Sequence, residues 1–346
     1  MKLGQKITKS NFFIRLGSWE FWPFGIIQFP AIVYWLWLSL RSKSMVFFSA
    51  SNPGIRMGGM FGESKYAVLK NIPNTIVPKT ILIALPTTSQ EVETRIREEG
   101  MVLPLIFKPD LGERGLMVRK VESTDDIEDY LHDIKIDFLI QELIDLPLEF
   151  GVFYTRYPDE KKGKVTSVVI KEMLSVTGDG KSTLESLILD NNRAKLQWAK
   201  LQRTYYEQLS WVVPAGKKME LVSIGNHALG TKFLNGAHLI NDRLNDTFNV
   251  ISNSIPGFYF GRFDLRCATL NDLYDGTIRV MELNGCGAVP THIYDPDFSF
   301  WRGMWDLIVH WRNIFEIARA NKKLGVDYIT FKEAWGLYRK FKAVTK

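Results

Sequence analysis

Two runs near the end of the chain, Phe258 to Cys267 (FYFGRFDLRC) and Thr277 to Asn284 (TIRVMELN), set charged groups inside otherwise apolar, β-branched and aromatic text. Both read as strands, and the turn signals from Asn271 to Gly276 make them neighbours. Side chains alternate across a strand, so Arg262 shares a face with Asp264, and Glu282 with Asn284. A charge buried without a partner is costly, which means these carboxylates need one. Two kinds of partner suit them. Arg262, Arg266 and Arg279 can pair with them as structure, or a hard cation can take the carboxylate and amide oxygens while keeping substrate phosphates in its shell.

From residue 44 onward, short β-branched runs alternate with Gly/Asp/Asn turns and helical patterns, the grammar of a mixed α/β domain. Leu103 to Lys108 reads as a strand that delivers a lysine to the turn Pro109 to Gly115, and Leu116 to Val121 as the strand that leaves it. Gly112 and Gly115 let the backbone approach phosphates closely, with the positive charge of Lys108 at the base of the loop. An ordinary hairpin with a solvated lysine is the plain alternative. Phe138 to Ile144 (FLIQELI) is an apolar strand carrying Glu142, and Glu149 stands before the strand Phe150 to Arg156. Val165 to Leu174 alternates like a strand and places Lys171 in apolar text, where an ammonium calls for an anion. Thr177 to Thr183 (TGDGKST) is a flexible loop. Its Ser182 or Thr183 can cap the helix LESLILDNN, leaving Lys181 to cover a ligand.

The stretch from Phe21 to Leu40 carries no charge and is as long as a bilayer is thick, but Pro23, Gln28 and Pro30 interrupt it and aromatics dominate it. Lys2, Lys6, Lys9, Arg15, Arg41 and Lys43 flank it, which suits a segment lying in the interface of an anionic leaflet on the cytoplasmic side. A buried packing helix or a partner-binding face is the other reading. Two cysteines, Cys267 and Cys286, are too few for a disulfide framework or a four-thiolate zinc site, which points to a reducing compartment. The net charge of +6 fits a polyphosphate or an anionic surface. Without an RNP, zinc-finger or Arg-rich reading motif, nucleic acid is set aside. Phe298 to Ala320 is an aromatic amphipathic stretch with Trp301, Trp305 and Trp311. Phe331 to Lys346 is basic, and the two read as a packing helix and a solvated tail, with a second membrane contact as the other reading.

Taken in order, these pieces resemble the ATP-grasp superfamily, and within it the D-alanine:D-alanine ligase, glutathione synthetase and cyanophycin synthetase branches, over residues 62–296. Gly62-Glu63-Ser64-Lys65-Tyr66 looks like the opening helix whose lysine reaches ATP, which assigns Lys65. IFKPDLGERG looks like the phosphate-binding strand and glycine-rich loop, implying Lys108 and the amides of Gly112, Glu113, Arg114 and Gly115 on the phosphates. QELIDLPLE matches the hinge, implying adenine contacts at Glu142, Leu143 and Ile144 and a ribose contact at Glu149, with Lys171 on ATP as well. TGDGKSTLESLI is close to the loop that folds over the reaction centre in cyanophycin synthetases, and Gly225-Asn226-His227 with Gly230-Thr231 is similar to their GNxxxGG region. GRFDLR with MELN matches the R-x-D and E-x-N signatures. These imply Asp264, Glu282 and Asn284 as ligands of magnesium, with manganese as its substitute, and Arg262 and Lys181 as catalytic cations.

The resemblance implies an α+β fold in which two α+β subdomains grip ATP. It divides the chain into an N-terminal segment 1–61 holding the hydrophobic stretch 21–40, subdomains 62–140 and 141–297, and a helical basic extension 298–346. The implied activity is ADP-forming carboxylate–amine ligation through an acyl phosphate, on small-molecule or lipid-linked substrates, at the inner face of the cell membrane. Phosphotransfer to a hydroxyl and a non-catalytic, membrane-tethered ATP-binding module are the alternatives, and homo-oligomerisation is left open. Relatives carry a full α/β domain where this sequence has the segment before Gly62, so Arg56 in the loop Ser51 to Arg56 becomes the candidate for holding an acceptor's anion.

Overall fold

A computed structural model describes residues 10–112, 115–222 and 225–344. The chain divides into a larger unit, Pro30–Val168 with Gly236–Pro290 and Trp305–Lys346, and a smaller one, Met1–Phe29 with Val169–Asn235 and Thr291–Met304. Both mix helices with antiparallel sheet, an α+β architecture.

In the larger unit, alternating apolar segments form the strands β1 (Thr80–Ile83), β2 (Leu105–Pro109), β3 (Arg119–Val121) and β4 (Phe138–Glu142), ordered β1-β4-β2-β3 and antiparallel throughout. Two helices, Ser89–Glu98 and Thr124–Asp133, supply the cover for one face of this sheet. Each starts at a capping box, Thr88 with Glu91 and Ser123 with Asp126, that satisfies the first backbone N–H groups. Their inward residues Val92, Ile127 and Tyr130 join Phe107 and Phe138 in one apolar cluster, the three aromatic rings meeting at 5.2 to 5.6 Å.

A second sheet of this unit is built on β5 (Leu148–Thr155), β10 (Phe260–Cys267) and β11 (Arg279–Asn284), with β10 in the middle and β5 followed by β6 (Lys164–Glu172). Phe263 and Leu265 point from β10 into the core, where Phe263 meets Phe248 at 5.3 Å and Phe258 at 5.4 Å. That leaves Arg262, Asp264 and Arg266 on the opposite face. The connection between β10 and β11 is a short helix, Leu270–Asp275, where the sequence suggests a plain turn. A Thr269/Asp272 capping box starts it, and Gly276 ends it at a φ of 77°. The strand expected from Leu116 begins only at Arg119, because Val118 N–H bonds back to the Gly115 carbonyl and closes a turn.

Helix Phe24–Ser42 runs through Pro30 in one piece, and no described helix is long and apolar enough to cross a membrane. The basic end expected to be a solvated tail is instead a helix, Phe331–Val344, which packs through Ala334 and Phe341. In the smaller unit the last residues of β6 pair with β9 (Lys232–Asn235). β7 (Ser175–Thr177) pairs with β8 (Lys218–Glu220) beside a core of Leu174, Val176, Leu184, Ile188 and Val213.

Candidate active site

Antiparallel register brings the polar ends of β10 and β11 together. Asp264 stands opposite Glu282, and Arg262 opposite Asn284, all four on one face. Asp264 is buried and is bound at Oδ2 by Arg262 Nη2 at 2.9 Å and by Asn284 Nδ2 at 3.0 Å. Arg262 also donates to the Val289 carbonyl at 3.1 Å, so it lies along the loop that leaves β11. Of the partners foreseen for Asp264, the guanidinium of Arg262 pairs with it, and the second carboxylate that a hard cation would share stands opposite at Glu282.

Lys108 enters from β2. Its Nζ donates to Gln141 Oε1 at 2.9 Å and to the Met281 carbonyl at 3.1 Å. Burial pushes this ammonium down to about 8, and the charge of Lys65 pushes the same way, while Glu282, Asp264 and Asp110 pull it up. Gln141 and Asp110 escaped the sequence reading. A buried amide inside the apolar run FLIQE is the signal for the first, since buried polar groups are bonded. Asp110 secures the base of the glycine loop, its Oδ1 accepting from the Ser64 hydroxyl and the Tyr66 N–H at 3.0 and 2.9 Å, and that seats the helix Lys65–Leu69 beside it. Lys65 Nζ then reaches the Gly112 carbonyl at 2.6 Å. Gly112 and Gly115 hold φ values of 143° and 72°, a region side chains rarely adopt. Glu113 and Arg114 lie outside the described residues.

Glu142 turns its carboxylate to the Lys79 N–H and donates its own N–H to the Lys79 carbonyl, just before Leu143 and Ile144, the residues expected on adenine with it. Arg266 Nη1 holds the Ile144 carbonyl at 2.9 Å while its Nε binds Glu149 Oε2 at 2.8 Å, so one guanidinium fixes both the hinge and the carboxylate expected on ribose. The loop offered as an acceptor site is a brace. Asn52, fully buried, donates to the Gly58 and Phe260 carbonyls and accepts from the N–H groups of Tyr259 and Phe260. Arg56 is exposed beside it.

Two of the expected cations belong to the smaller unit. Lys171, opposite Phe233 in the β6–β9 pair, lies 6.0 Å from the centre of that ring. Lys181 is exposed on a loop set by Asp179, whose carboxylate binds the N–H groups of Lys181 and Ser182 and the Ser182 hydroxyl. Those bonds hold the Asp179 carboxyl at about 2. Thr183 caps the helix that follows. The smaller unit also carries a cluster with no counterpart in the sequence reading. Buried Glu20 receives Arg193 Nη2 at 2.6 and 2.7 Å and His227 Nε2 at 3.0 Å.

The donor set on β10 and β11 suits a hard divalent cation: two opposed carboxylates and an amide, with the Lys108 ammonium close enough to feel both carboxylates. Among the described residues no group of three or more His, Cys, Asp and Glu could hold a metal by itself, so substrate oxygens would have to complete the shell.

No family model matches the sequence, and no curated protein matches it either. Solved structures it is similar to include the ATP-grasp ligase PsnB, 14% identical with a TM-score of 0.35, the match covering 70% of this chain and 58% of that one. A bifunctional glutathione synthetase from Pasteurella multocida is 13% identical with a TM-score of 0.36, the match covering 70% of this chain and 35% of that one. VanG D-Ala:D-Ser ligase from Enterococcus faecalis is 15% identical with a TM-score of 0.40, covering 72% and 61%. D-alanine–D-alanine ligase from Bacillus anthracis is 14% identical with a TM-score of 0.41, covering 78% and 72%. The chain thus spans about a third of the glutathione synthetase and under two thirds of the D-Ala:D-Ser ligase. A likeness of this degree carries nothing about substrate.

Proposed function

We propose that this chain is an ATP-grasp enzyme that joins a carboxylate to an amine with release of ADP and phosphate. The observation that carries the reading is the single face on which Asp264 opposes Glu282 and Arg262 opposes Asn284, reached by the buried Lys108 through the Met281 carbonyl. Lys65, Lys108 and the amides of Gly112 and Gly115 would bind the phosphates. Glu142, Leu143 and Ile144 would hold adenine, and Glu149 ribose. Lys171 and Lys181 would add charge at the transferring group. Asp264, Glu282 and Asn284 would hold magnesium or manganese, which when bound neutralises phosphate charge.

A carboxylate oxygen attacks the γ-phosphorus, the bond from that phosphorus to its bridging oxygen breaks, and ADP leaves. The amine then attacks the acyl carbon of the acyl phosphate. Phosphate departs with the electrons of its C–O bond and takes up the amine's proton. Arg262 faces the oxyanion formed in this second step, and exclusion of water keeps the acyl phosphate for the amine. A lipid-linked substrate at a membrane's inner face belongs to the same reading, supported by the uncovered apolar side of helix Phe24–Ser42.

Calorimetric titration with Mg-ATP, followed by incubation with mixed carboxylates and hydroxylamine, tests this. Binding, ADP, phosphate and a hydroxamate are expected. AMP as product, or no nucleotide binding, overturns it, and phosphorylated product without hydroxamate assigns phosphotransfer instead.

A further inference from the structure

A surface helix of a soluble domain puts an apolar stripe inward and polar residues outward. Helix Phe24–Ser42 departs from this over its part in the larger unit. Ala31 and Leu38 are buried, Trp35 meets Trp311, and the inward side is accounted for by the core around Phe47 and Phe315. The outward side is apolar too. Ile32, Val33, Leu36, Trp37 and Leu40 follow helical spacing on one exposed face, with Leu40 79% exposed. Met45 and Phe331, also exposed, continue the apolar surface past the helix end, where with Lys43 and Lys322 they line an open cleft of about 410 Å³.

The charges on the helix and on the segment that follows it have one sign. From Pro30 to Phe61 the sequence holds Arg41, Lys43 and Arg56 and no carboxylate. Of the nearby acids, Asp327 lies 3.8 Å from Lys322, and Glu333 accepts from the Thr330 N–H and hydroxyl. Arg41 stacks over the Trp37 ring at 4.8 Å, so that a cation and an amphipathic ring stand together at the end of the stripe. Aromatic rings with cations beside them are what the headgroup layer of a bilayer accepts. The helix cannot leave the protein to span, since half its circumference belongs to the core; it can only lie flat.

We infer that this face is a docking surface for an anionic phospholipid bilayer. Ile32, Val33, Leu36, Trp37 and Leu40 enter the interfacial layer, and Arg41, Lys43 and Lys322 sit among the phosphates. The inference deepens the membrane-face part of the proposed function and rests on it, but its test contains no nucleotide, so its failure leaves the ligase chemistry standing.

The full chain is floated with vesicles of phosphatidylcholine alone and of phosphatidylcholine mixed with phosphatidylglycerol. Wild type is expected on the mixed vesicles. Arg41→Gln/Lys43→Gln weakens partitioning about 25-fold, at about five-fold for each cation near an anionic surface. Leu36→Glu/Leu40→Glu abolishes it, while Val102→Glu, at an exposed apolar site elsewhere in the larger unit, leaves it unchanged. Thermal unfolding shows that each variant is folded. Absence from the mixed vesicles, equal binding to neutral ones, or undiminished binding by Leu36→Glu/Leu40→Glu overturns the inference. So does a dimer that Leu36→Glu/Leu40→Glu disperses while no vesicle is bound, which would give this face to a second copy of the chain.

Discussion

Lys108 and Glu20 are both charged side chains pressed out of water, and burial wins at one and loses at the other. At Lys108 desolvation dominates and brings the ammonium down to about 8, against the pull of Glu282, Asp264 and Asp110. At Glu20 desolvation also works against the charge, but the hydrogen bonds and charges of His227 and Arg193 outweigh it and hold the carboxyl below its usual range. The difference lies in the partners. Glu20 is answered by a guanidinium and an imidazole within 3.0 Å, whereas the direct partners of Lys108 are the neutral oxygens of Gln141 and Met281. One cluster is a clasp that answers its buried charge with opposite charge, and the other holds its cation on neutral oxygens with the carboxylates of Glu282, Asp264 and Asp110 nearby.

The comparison breaks most visibly at the reactive face. Glu282→Gln removes a half-buried carboxylate that, among the described residues, no guanidinium engages as Arg193 engages Glu20. Turnover of ATP should fall by about 100- to 1000-fold while the melting temperature stays put; a loss of stability instead would make the opposed carboxylates structural. Next comes the clasp. Glu20→Gln leaves Arg193 buried without its counter-charge and should cost about 3 kcal/mol by chemical denaturation. Because the folded carboxyl sits below its ordinary value of 4.5, its stabilisation is whole above that value and drains away as the pH falls through the folded one. Wild type should therefore lose stability on acidification and converge on Glu20→Gln; parallel curves would mean that Glu20 contributes no linkage.

Lys108→Met gives a smaller, divided effect. Stability should stay within about 1 kcal/mol, since a charge that burial disfavours is replaced by an apolar chain of similar length. Affinity for Mg-ATP should weaken by about ten- to a hundred-fold, so an unfolded variant would place Lys108 with the clasp. The smallest effect is expected at Thr269→Ala, where loss of the capping box between β10 and β11 should cost about 1 kcal/mol and leave turnover alone.

The face that carries Arg262, Asp264, Glu282 and Asn284 could be read in the sequence because those four residues are local to one pair of strands, whereas Lys108 reaches Met281 across 173 positions. Alternation places Arg262 with Asp264 and Glu282 with Asn284, and only the register between two strands close in the chain remained to be found. Thr183 was legible as a cap for the same reason. The helix Leu270–Asp275 was missed because Asn271, Asp272 and Gly276 are turn residues, and their weight hid the T-x-x-D box starting at Thr269. The clasp could not be seen at all. Glu20 meets Arg193 across 173 positions and His227 across 207, and no periodicity reports on such distances. The strand Phe138–Glu142 lay between these cases, its amide at Gln141 visible as an anomaly while Lys108, which it serves, stood 33 residues away.

The brace at Asn52 rests on backbone meeting backbone, with Cys286 N–H on the Gly58 carbonyl and Gly287 N–H on that of Gly59. A methyl group at Gly59 would come within 2.6 Å of the Gly285 Cα, and one at Gly285 within 2.3 Å of the Gly58 oxygen. Neither segment has room to change while the other stays as it is. Among descendants of one ancestor, drift at 58–59 and at 285–287 must then be joint or absent. Two short glycine-bearing words more than two hundred residues apart would mark kinship with this chain after its strands have diverged beyond recognition.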